Sequence, residues 1–260
     1  MAQLSIRDIS LQFGGVSVLH SVSFEVDSAA IFGLVGPNGA GKTSLFNCIS
    51  GLYRPSSGTI LLDGEDTLLK APWQLASMGL ARTFQHPALQ LKATVLENVL
   101  VGGNSRLTGG PMSWALRLPF TTRVERDLRK HAAELLDRLD LARFTNVYAG
   151  ELAHGLHKRV ELCRALLSRP KVLLLDEPAA GLSHGEVEEL TEWITTLRSE
   201  FGLTILIVEH HMGMIAAVTD KLVVLNEGRL LMEGTAQEAQ KNRLVIEAYL
   251  GKRAAANEHS

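Results

Sequence analysis

One glycine-rich segment constrains the fold of this chain more than any other. It lies between an apolar run, Ile31 to Val35, and a helix-like stretch, Ser44 to Ile49, and it consists of Gly36, Pro37, Asn38, Gly39, Ala40, Gly41, Lys42 and Thr43. A strand, a glycine-rich turn and a helix in this order form a phosphate-binding loop. Glycine permits the tight turn and the close approach of backbone N–H groups to a ligand, and the helix adds its positive N-terminal end.

The chemistry of this loop predicts a nucleoside triphosphate and Mg²⁺ as ligands. Lys42 supplies a charge for the β- and γ-phosphates, and the Thr43 hydroxyl is a Mg²⁺ ligand. Ser44, at the start of the predicted helix, is a further candidate nucleotide-binding residue. A chance match in a glycine-containing turn is the alternative, which the flanking strand and helix argue against. Because many unrelated NTPases carry such a loop, the rest of the chain must identify the class.

Composition is that of a globular protein with no basic excess. The chain has 260 residues, 46% of them hydrophobic, and a net charge of −2, so we expect no nucleic acid partner. Cys48 and Cys163 lie in apolar stretches without metal-ligand spacing, which predicts buried thiols in a reducing compartment. Residues 1–10 do not resemble a signal peptide. No run approaches the ~18 apolar residues of a membrane span, so any membrane association is expected to be peripheral.

Strand and helix patterns predict an α/β fold. Apolar and polar residues alternate at 4–9 and at 22–26, which indicates an antiparallel β layer before position 35. A short strand is predicted at 80–84, buried-type strands at 172–175 and 203–208, and a hairpin at 222–232. Helices are predicted at 94–101, at 124–139 with Leu128, Leu135 and Leu139 on one face, and around 155–168. A further helix begins at Ser183 and a helical tail ends near Leu250. A loop that need not be rigid is predicted from Gly102, Gly103, Gly109, Gly110 and Pro111. Strands alternating with helices imply a mostly parallel sheet.

Four polar groups follow strand-like runs and are predicted to meet at one sheet edge, where ligands of open α/β sheets bind. Besides the phosphate-binding loop, they are Gln85, the pair Asp176 and Glu177, and His210. Asp176 is a candidate Mg²⁺ ligand, and Glu177 can polarise a water for attack on the γ-phosphate. Gln85 can complete the metal shell and sense the γ-phosphate, or be a surface residue. His210 can bond the γ-phosphate or the attacking water, or be a surface histidine.

Over nearly its whole length the chain resembles the ATP-binding subunit of an ABC transporter. GPNGAGKT at 36–43 is similar to the Walker A motif of that family, and VLLLDEP at 172–178 to its Walker B motif. ARTFQ at 81–85 resembles the glutamine loop, and IVEH at 207–210 the switch histidine. The signature motif corresponds to Leu152, Ala153, His154 and Gly155. LQFGGVSVL near the start and VIEAYLG near the end resemble the branched-chain amino-acid uptake branch, although urea, amide and lipopolysaccharide-type cassettes look similar.

The resemblance implies a P-loop NTPase (RecA-like) core with an antiparallel β subdomain and an inserted helical subdomain. Residues 1–250 would form the ABC ATPase domain, with the helical signature subdomain at about 86–165. The small, polar residues at 251–260 predict a disordered tail. Two cassettes would form a head-to-tail dimer, as a homodimer or a heterodimer, with ATP between one Walker A motif and the partner's signature. From the sequence alone, Phe13 is either a core residue or an adenine-stacking residue. The resemblance implies that it stacks on adenine. The block after Gln85 would bind an integral-membrane permease at the cytoplasmic face of the membrane.

Two departures from the family pattern bear on function. The signature usually reads LSGGQ, and here Ala153 lacks the serine hydroxyl and Leu156 replaces glutamine. Loss of one hydrogen bond to a charged phosphate weakens binding by about 1.5–3 kcal/mol, which predicts a weakened but working signature. Ser183 stands near the place of the usual aspartate after the Walker B motif.

The implied function is an importer ATPase; the alternatives are another substrate in the same branch, a soluble ABC ATPase acting on ribosomes or DNA, and a non-hydrolysing regulatory partner.

Overall fold

The computed structural model describes residues 4–85, 88–106 and 119–249. The strands in chain order are β1 (Leu4–Phe13), β2 (Val16–Val26), β3 (Ile31–Val35), β4 (Ser57–Leu62), β5 (Glu65–Asp66), β6 (Leu80–Arg82), β7 (Val172–Asp176), β8 (Thr204–Val208), β9 (Lys221–Asn226) and β10 (Arg229–Gly234). The α-helices are α1 (Lys42–Ile49), α2 (Pro72–Met78), α3 (Val95–Leu100), α4 (Pro119–Arg138), α5 (His154–Leu167), α6 (His184–Phe201), α7 (Met212–Val218) and α8 (Ala236–Lys241). Residues 243–249 are also helical.

Two sheets confirm the predicted α/β architecture. The first is antiparallel, with the order β2-β1-β4-β5. The second has the order β10-β9-β3-β8-β7-β6, and only its β10–β9 pair is antiparallel. The carboxyl ends of β3, β6, β7 and β8 therefore lie at the same edge of the second sheet, as expected for a ligand site.

The central parallel strands are buried on both faces, which is why they read as continuous apolar runs. Along β7, Leu173 and Leu175 face one core and Val172 and Leu174 the other. One core lies between the two sheets and includes α1, and the other includes α3 to α7. A strand covered on both sides cannot shift its register without exposing an apolar face, so the strand ends that carry polar residues are rigidly placed.

Helices α3, α4 and α5 lie between β6 and β7 in the chain, where the inserted helical block is predicted. The amphipathic face of α4 is confirmed, because Leu135 and Leu139 are buried and Leu128 packs against the same core. Thr94 and Glu97 form a reciprocal capping box that begins α3. The boundaries 1–250 and 86–165 stay predictions, and the tail at 251–260 lies outside the described residues.

Three local predictions were wrong or incomplete. Strand β6 ends at Arg82 rather than at position 84, because the N–H of Phe84 is bound by the Glu161 carboxylate. The first part of the expected loop is a tightly packed 3₁₀ helix, Val101–Arg106, in which a Cβ on Gly102 would lie 1.8 Å from the Arg164 carbonyl oxygen. Its remainder, at 109–111, lies outside the described residues. Helices α2 and α7 were missed, although Pro72 in the first turn of α2 and the left-handed Gly79 after it are helix-boundary signals.

Both cysteines are free and buried, as predicted. Burial raises the pKa of the Cys48 thiol to about 11 and also raises that of Cys163. Such thiols are inert because the reactive species is the thiolate. Within the described ranges, no helix is long and apolar enough to cross a membrane.

Candidate nucleotide-binding and catalytic site

The glycine-rich loop joins β3 to α1, as its pattern predicts. Gly36 has a φ of +149°, and a Cβ there would lie 2.1 Å from the Leu225 carbonyl oxygen, so no other residue fits. Lys42 is buried, and its Nζ donates to the carbonyl oxygens of Gly36 at 2.7 Å and Pro37 at 3.1 Å. The backbone of the loop therefore surrounds the Lys42 ammonium group, while Asn38, Gly39 and Thr43 are exposed.

Glu177, Gln85 and His210 come together at the carboxyl edge of the sheet. Gln85 Nε2 donates to Glu177 Oε2 at 2.7 Å, and His210 Nδ1 lies 4.0 Å from the same oxygen. Glu177 has a φ of +45°, in the left-handed region that a residue with a Cβ adopts at a cost of about 1–2 kcal/mol. Its N–H donates to the Val208 carbonyl at 2.9 Å, which holds this turn. The three side chains thus form one polar cluster, as predicted.

Asp176 lies at the end of β7 and is held by Arg82. Arg82 Nη2 contacts Asp176 Oδ2 at 2.7 Å, and both side chains are largely buried. Arg82 Nη1 donates to Asn47 Oδ1 and Ser50 Oγ on and after α1, and its guanidinium packs over the ring of Phe84. One arginine therefore joins the acidic strand end to the helix that follows the phosphate-binding loop.

Buried Glu209 ties two loops of the site together. Its Oε1 accepts from the N–H of Ala179 at 2.7 Å, and its Oε2 accepts from those of His210 and His211 at 2.9 and 3.1 Å. A carboxylate that accepts several backbone N–H bonds is a rigid support. The position of His210 is thereby coupled to the loop between β7 and α6.

The oxygen atoms at this edge suit Mg²⁺. Thr43 offers a hydroxyl, Asp176 a carboxylate and Gln85 an amide oxygen, which are the hard ligands that this ion prefers. Among the described residues, no group of three or more His, Cys, Asp and Glu side chains could hold a metal alone. This donor set fits an ion that takes its remaining ligands from substrate phosphates and water.

Two buried charges on α5 face the glutamine loop. Burial lowers the pKa of Lys158, while Glu161, Glu209, Asp176 and Glu177 oppose this shift. Burial raises the pKa of Glu161, and the hydrogen bond from the Phe84 N–H opposes it. Both residues sit next to the backbone that carries Gln85.

Phe13 is not a core residue. Its side chain is 46% exposed at the end of β1, and its ring packs edge-to-face against Tyr53 with centroids 5.2 Å apart. An exposed aromatic pair offers a face for a base. Its contact with adenine stays a prediction.

The signature residues lie at the start of α5. Leu152 is buried, and Ala153 is the N-cap residue, without a side-chain hydrogen bond to the helix. The Nε2 of His154 approaches Gly181, and Gly155 faces the Glu186 carboxylate. These residues contact the loop that follows Glu177 and the start of α6. Ser183 caps α6, and its Oγ and N–H donate to Glu186 Oε2 at 2.7 and 2.8 Å.

Sequence reasoning missed four supporting residues. Arg82 and Glu209 stand inside the quoted ARTFQ and IVEH segments but had no role assigned to them. Lys158 and Glu161 offered only a weak signal, because they are oppositely charged residues three positions apart in a predicted helix. Which backbone groups they bind depends on the packing of α5 against a segment far away in the chain.

The fold and the glycine-rich loop define a P-loop nucleotide-binding protein. The chain belongs to the ABC transporter family: the family model described as "ABC transporter" matches residues 19–180. A model described as "Branched-chain amino acid ATP-binding cassette transporter" matches residues 229–255.

Named relatives and solved structures agree with this assignment. The chain is 38% identical to the high-affinity branched-chain amino acid transport ATP-binding protein BraF of Pseudomonas aeruginosa, over 96% of this chain and 98% of that protein. It is 40% identical to LivG of Escherichia coli, which has the same descriptive name, with the same coverage. A structure described as the ADP conformation of an ATP-binding cassette of an ABC transporter matches with a TM-score of 0.84 and 31% identity, covering 96% of this chain and 99% of that one.

Proposed function

We propose that this chain is the ATP-binding and ATP-hydrolysing subunit of an ABC importer that takes up branched-chain amino acids or a similar small solute. The observation that carries the proposal is the hydrogen bond from Gln85 to Glu177, beside Asp176 and at the sheet edge that also holds the glycine-rich loop. The names of the relatives, which are branched-chain amino acid transport proteins, support the solute class.

The proposal gives each site residue a defined role in ATP hydrolysis. Residues 36–44 hold the phosphates, with Lys42 neutralising charge on the β- and γ-phosphates. Glu177 takes a proton from the water that attacks the γ-phosphorus as the bond to the bridging oxygen breaks, which yields ADP and phosphate. Gln85 orients Glu177, and His210 stabilises the γ-phosphate. Thr43, Asp176 and Gln85 would hold Mg²⁺, which when bound would supply positive charge for the phosphate oxygens.

A second cassette completes the site. By the family resemblance, residues 152–155 of one subunit face the γ-phosphate bound to the other, and Phe13 stacks on adenine. The N-terminal end of α5 supplies positive potential for that phosphate, whereas Ala153 supplies no hydroxyl. In a heterodimer, a second cassette with an unaltered signature would supply the missing hydroxyl at one of the two ATP sites.

A groove beside the glutamine loop suits a helix of a membrane permease. It has a volume of about 790 Å³ and includes among its lining residues Leu52, Trp73, Phe84, Ala88, Val101 and Arg164. Trp73 is 70% exposed, and an exposed tryptophan beside apolar side chains is typical of an interface anchor. The chain would then sit peripherally at the cytoplasmic face of the cell membrane.

The test is to isolate the membrane complex through an affinity tag on this chain and to measure ATP hydrolysis and uptake in proteoliposomes. Leucine, isoleucine or valine, with the matching solute-binding protein, is expected to accumulate only when ATP is present on the cassette side. Uptake or export of another solute, such as urea, an amide or lipopolysaccharide, would correct the substrate. Hydrolysis that depended on ribosomes or DNA would contradict the transport function, and a complex without hydrolysis would indicate a regulatory partner.

A further inference from the structure

One face of α5 carries three charged side chains that bind the backbone of the glutamine loop and of Ala88, which follows it. Lys158 Nζ donates to the carbonyl oxygen of Gln85 at 2.5 Å. Glu161 Oε1 accepts from the N–H of Phe84 at 2.8 Å, and Arg164 Nη1 donates to the carbonyl oxygen of Ala88 at 2.8 Å. Residues at every third position lie on one side of a helix, and here each charge matches the backbone group that it meets.

The two inner residues of this face are buried charges. Lys158 is 7% exposed and Glu161 only 2% exposed. Buried charges are poor contributors to stability, since apolar residues of similar volume often serve as well or better. Charged side chains instead form directional hydrogen bonds, which favour one arrangement of the backbone groups that they bind. Stability alone therefore does not explain these residues.

The backbone held by this face carries the side chain that contacts the general base. Lys158 binds the Gln85 carbonyl, and the amide of the same residue donates to Glu177 Oε2 at 2.7 Å. A displacement of the Gln85 backbone would lengthen that hydrogen bond. Losses of positioning around a reacting group lower turnover strongly even at small displacements.

The same face reaches the groove assigned above to the permease. Arg164, Phe84 and Ala88 all line that groove, and Arg164 Nη2 also lies 3.5 Å from Glu161 Oε1. A short series of contacts thus leads from the groove through Arg164 and Glu161 to the segment that carries Gln85.

We propose that Lys158 and Glu161 are positioning residues that hold Gln85 in contact with Glu177, and that occupation of the groove acts on hydrolysis through this face of α5. The first part concerns the chain by itself. The second part rests on the proposed function, because it needs a permease in the groove.

The first experiment compares Lys158→Met, Lys158→Arg and Glu161→Gln in the purified full chain. Lys158→Met keeps the apolar stem and removes the charge and the donor; we expect kcat for ATP to fall about tenfold or more with Kd for ATP within about twofold. Lys158→Arg can still donate to the Gln85 carbonyl and is expected to recover most of kcat. Lys130→Met, which alters an exposed lysine on α4, is the matched control.

A purely structural role would give a different result. It would lower kcat only in proportion to the loss of folded protein, with no rescue by Lys158→Arg, and this result would overturn the proposal, as would an unchanged kcat. If Lys158→Met does not fold, Glu161→Gln decides: its amide keeps one acceptor for the Phe84 N–H but loses the charge that pairs with Arg164. We then expect a kcat about threefold to tenfold lower at unchanged Kd, and wild-type kcat would refute the positioning role.

The second experiment uses the membrane complex isolated through the tagged chain. The ratio of hydrolysis in the complex to hydrolysis by the chain alone is expected to fall in Lys158→Met and to stay at the wild-type value in Lys130→Met. An equal loss in both settings would contradict the link to the groove and leave the positioning role standing. A wild-type complex with no change in hydrolysis would count against the transport function itself.

Discussion

The side-chain amide of Gln85 donates a 2.7 Å hydrogen bond to the carboxylate of Glu177, although 92 positions separate the two residues in the chain. Gln85 follows β6 and Glu177 follows β7, and these strands are neighbours in the parallel sheet. The contact links the segment that lines the proposed permease groove to the residue assigned as the general base.

Glu177→Gln is expected to retain ATP binding and to lose at least about a hundredfold in turnover, because general-base catalysis contributes about 10²–10⁴-fold. The amide has nearly the same shape and still accepts from Gln85, but it cannot take a proton from water. Phosphate release and a nucleotide titration would measure the two effects. Glu65→Gln, an exposed residue paired with Lys70, is the control. Hydrolysis at the wild-type rate would refute the base assignment.

Lys42→Ala is expected to weaken ATP binding itself. Loss of a charged hydrogen bond to the phosphates amounts to about 1.5–3 kcal/mol, or roughly 10- to 150-fold in Kd. Isothermal titration with ATP and Mg²⁺ would measure it. Lys70→Ala removes a partly exposed lysine from β5's ion pair and should leave Kd unchanged. Undiminished affinity in Lys42→Ala would contradict the phosphate-binding role.

Arg82→Met is expected to destabilise the protein by about 3–5 kcal/mol, because it leaves the buried Asp176 carboxylate without its cation. Urea unfolding would measure the change. The double variant Arg82→Met with Asp176→Asn removes the unpaired charge and should recover part of the loss. Equal urea midpoints for Arg82→Met and the unchanged protein would show that the Arg82–Asp176 ion pair does not stabilise the fold.

Ala153→Ser should act on stability and on catalysis. Ala153 is the N-cap of α5 and makes no side-chain cap, so a serine there is expected to stabilise the fold by about 0.5–2 kcal/mol. The restored hydroxyl is also expected to raise hydrolysis in the assembled dimer. Ala153→Gly, a comparably good N-cap residue without the hydroxyl, separates the two effects. If serine and glycine raised hydrolysis equally, the hydroxyl would have no part in the signature.

Glu209→Gln is expected to destabilise the protein by about 1–3 kcal/mol and to lower turnover. Glu209 accepts three backbone N–H bonds through both oxygens, and an amide has only one oxygen for them. One loop is therefore released, either at Ala179 or at His210. Thermal unfolding and steady-state hydrolysis would measure the two effects, with Glu188→Gln on the exposed side of α6 as the control. Unchanged hydrolysis would argue against a role for the position of His210.

Much of the fold was predictable because its signals are local. Val172 to Asp176 reads as a strand buried on both faces, and it is one. Prediction failed at Phe84 and Gly102, where contacts with α5 set the local structure. Glu161 binds the Phe84 N–H, which ends β6. The Arg164 carbonyl leaves no room for a side chain at Gly102. Strand propensity and loop composition contain no information on such contacts.

By itself, the sequence determined the phosphate-binding loop, the order of strands and helices, and the residues that follow each strand. Glycine spacing and apolar periodicity act over a few residues, so they can be read directly from the chain. Only the tertiary structure decided that Arg82 holds Asp176 and that Glu209 joins two loops. It also decided that Lys158 binds the Gln85 carbonyl and that Glu161 binds the Phe84 N–H. These contacts join segments far apart in the chain, and their partners depend on how α5 and the parallel strands pack in space.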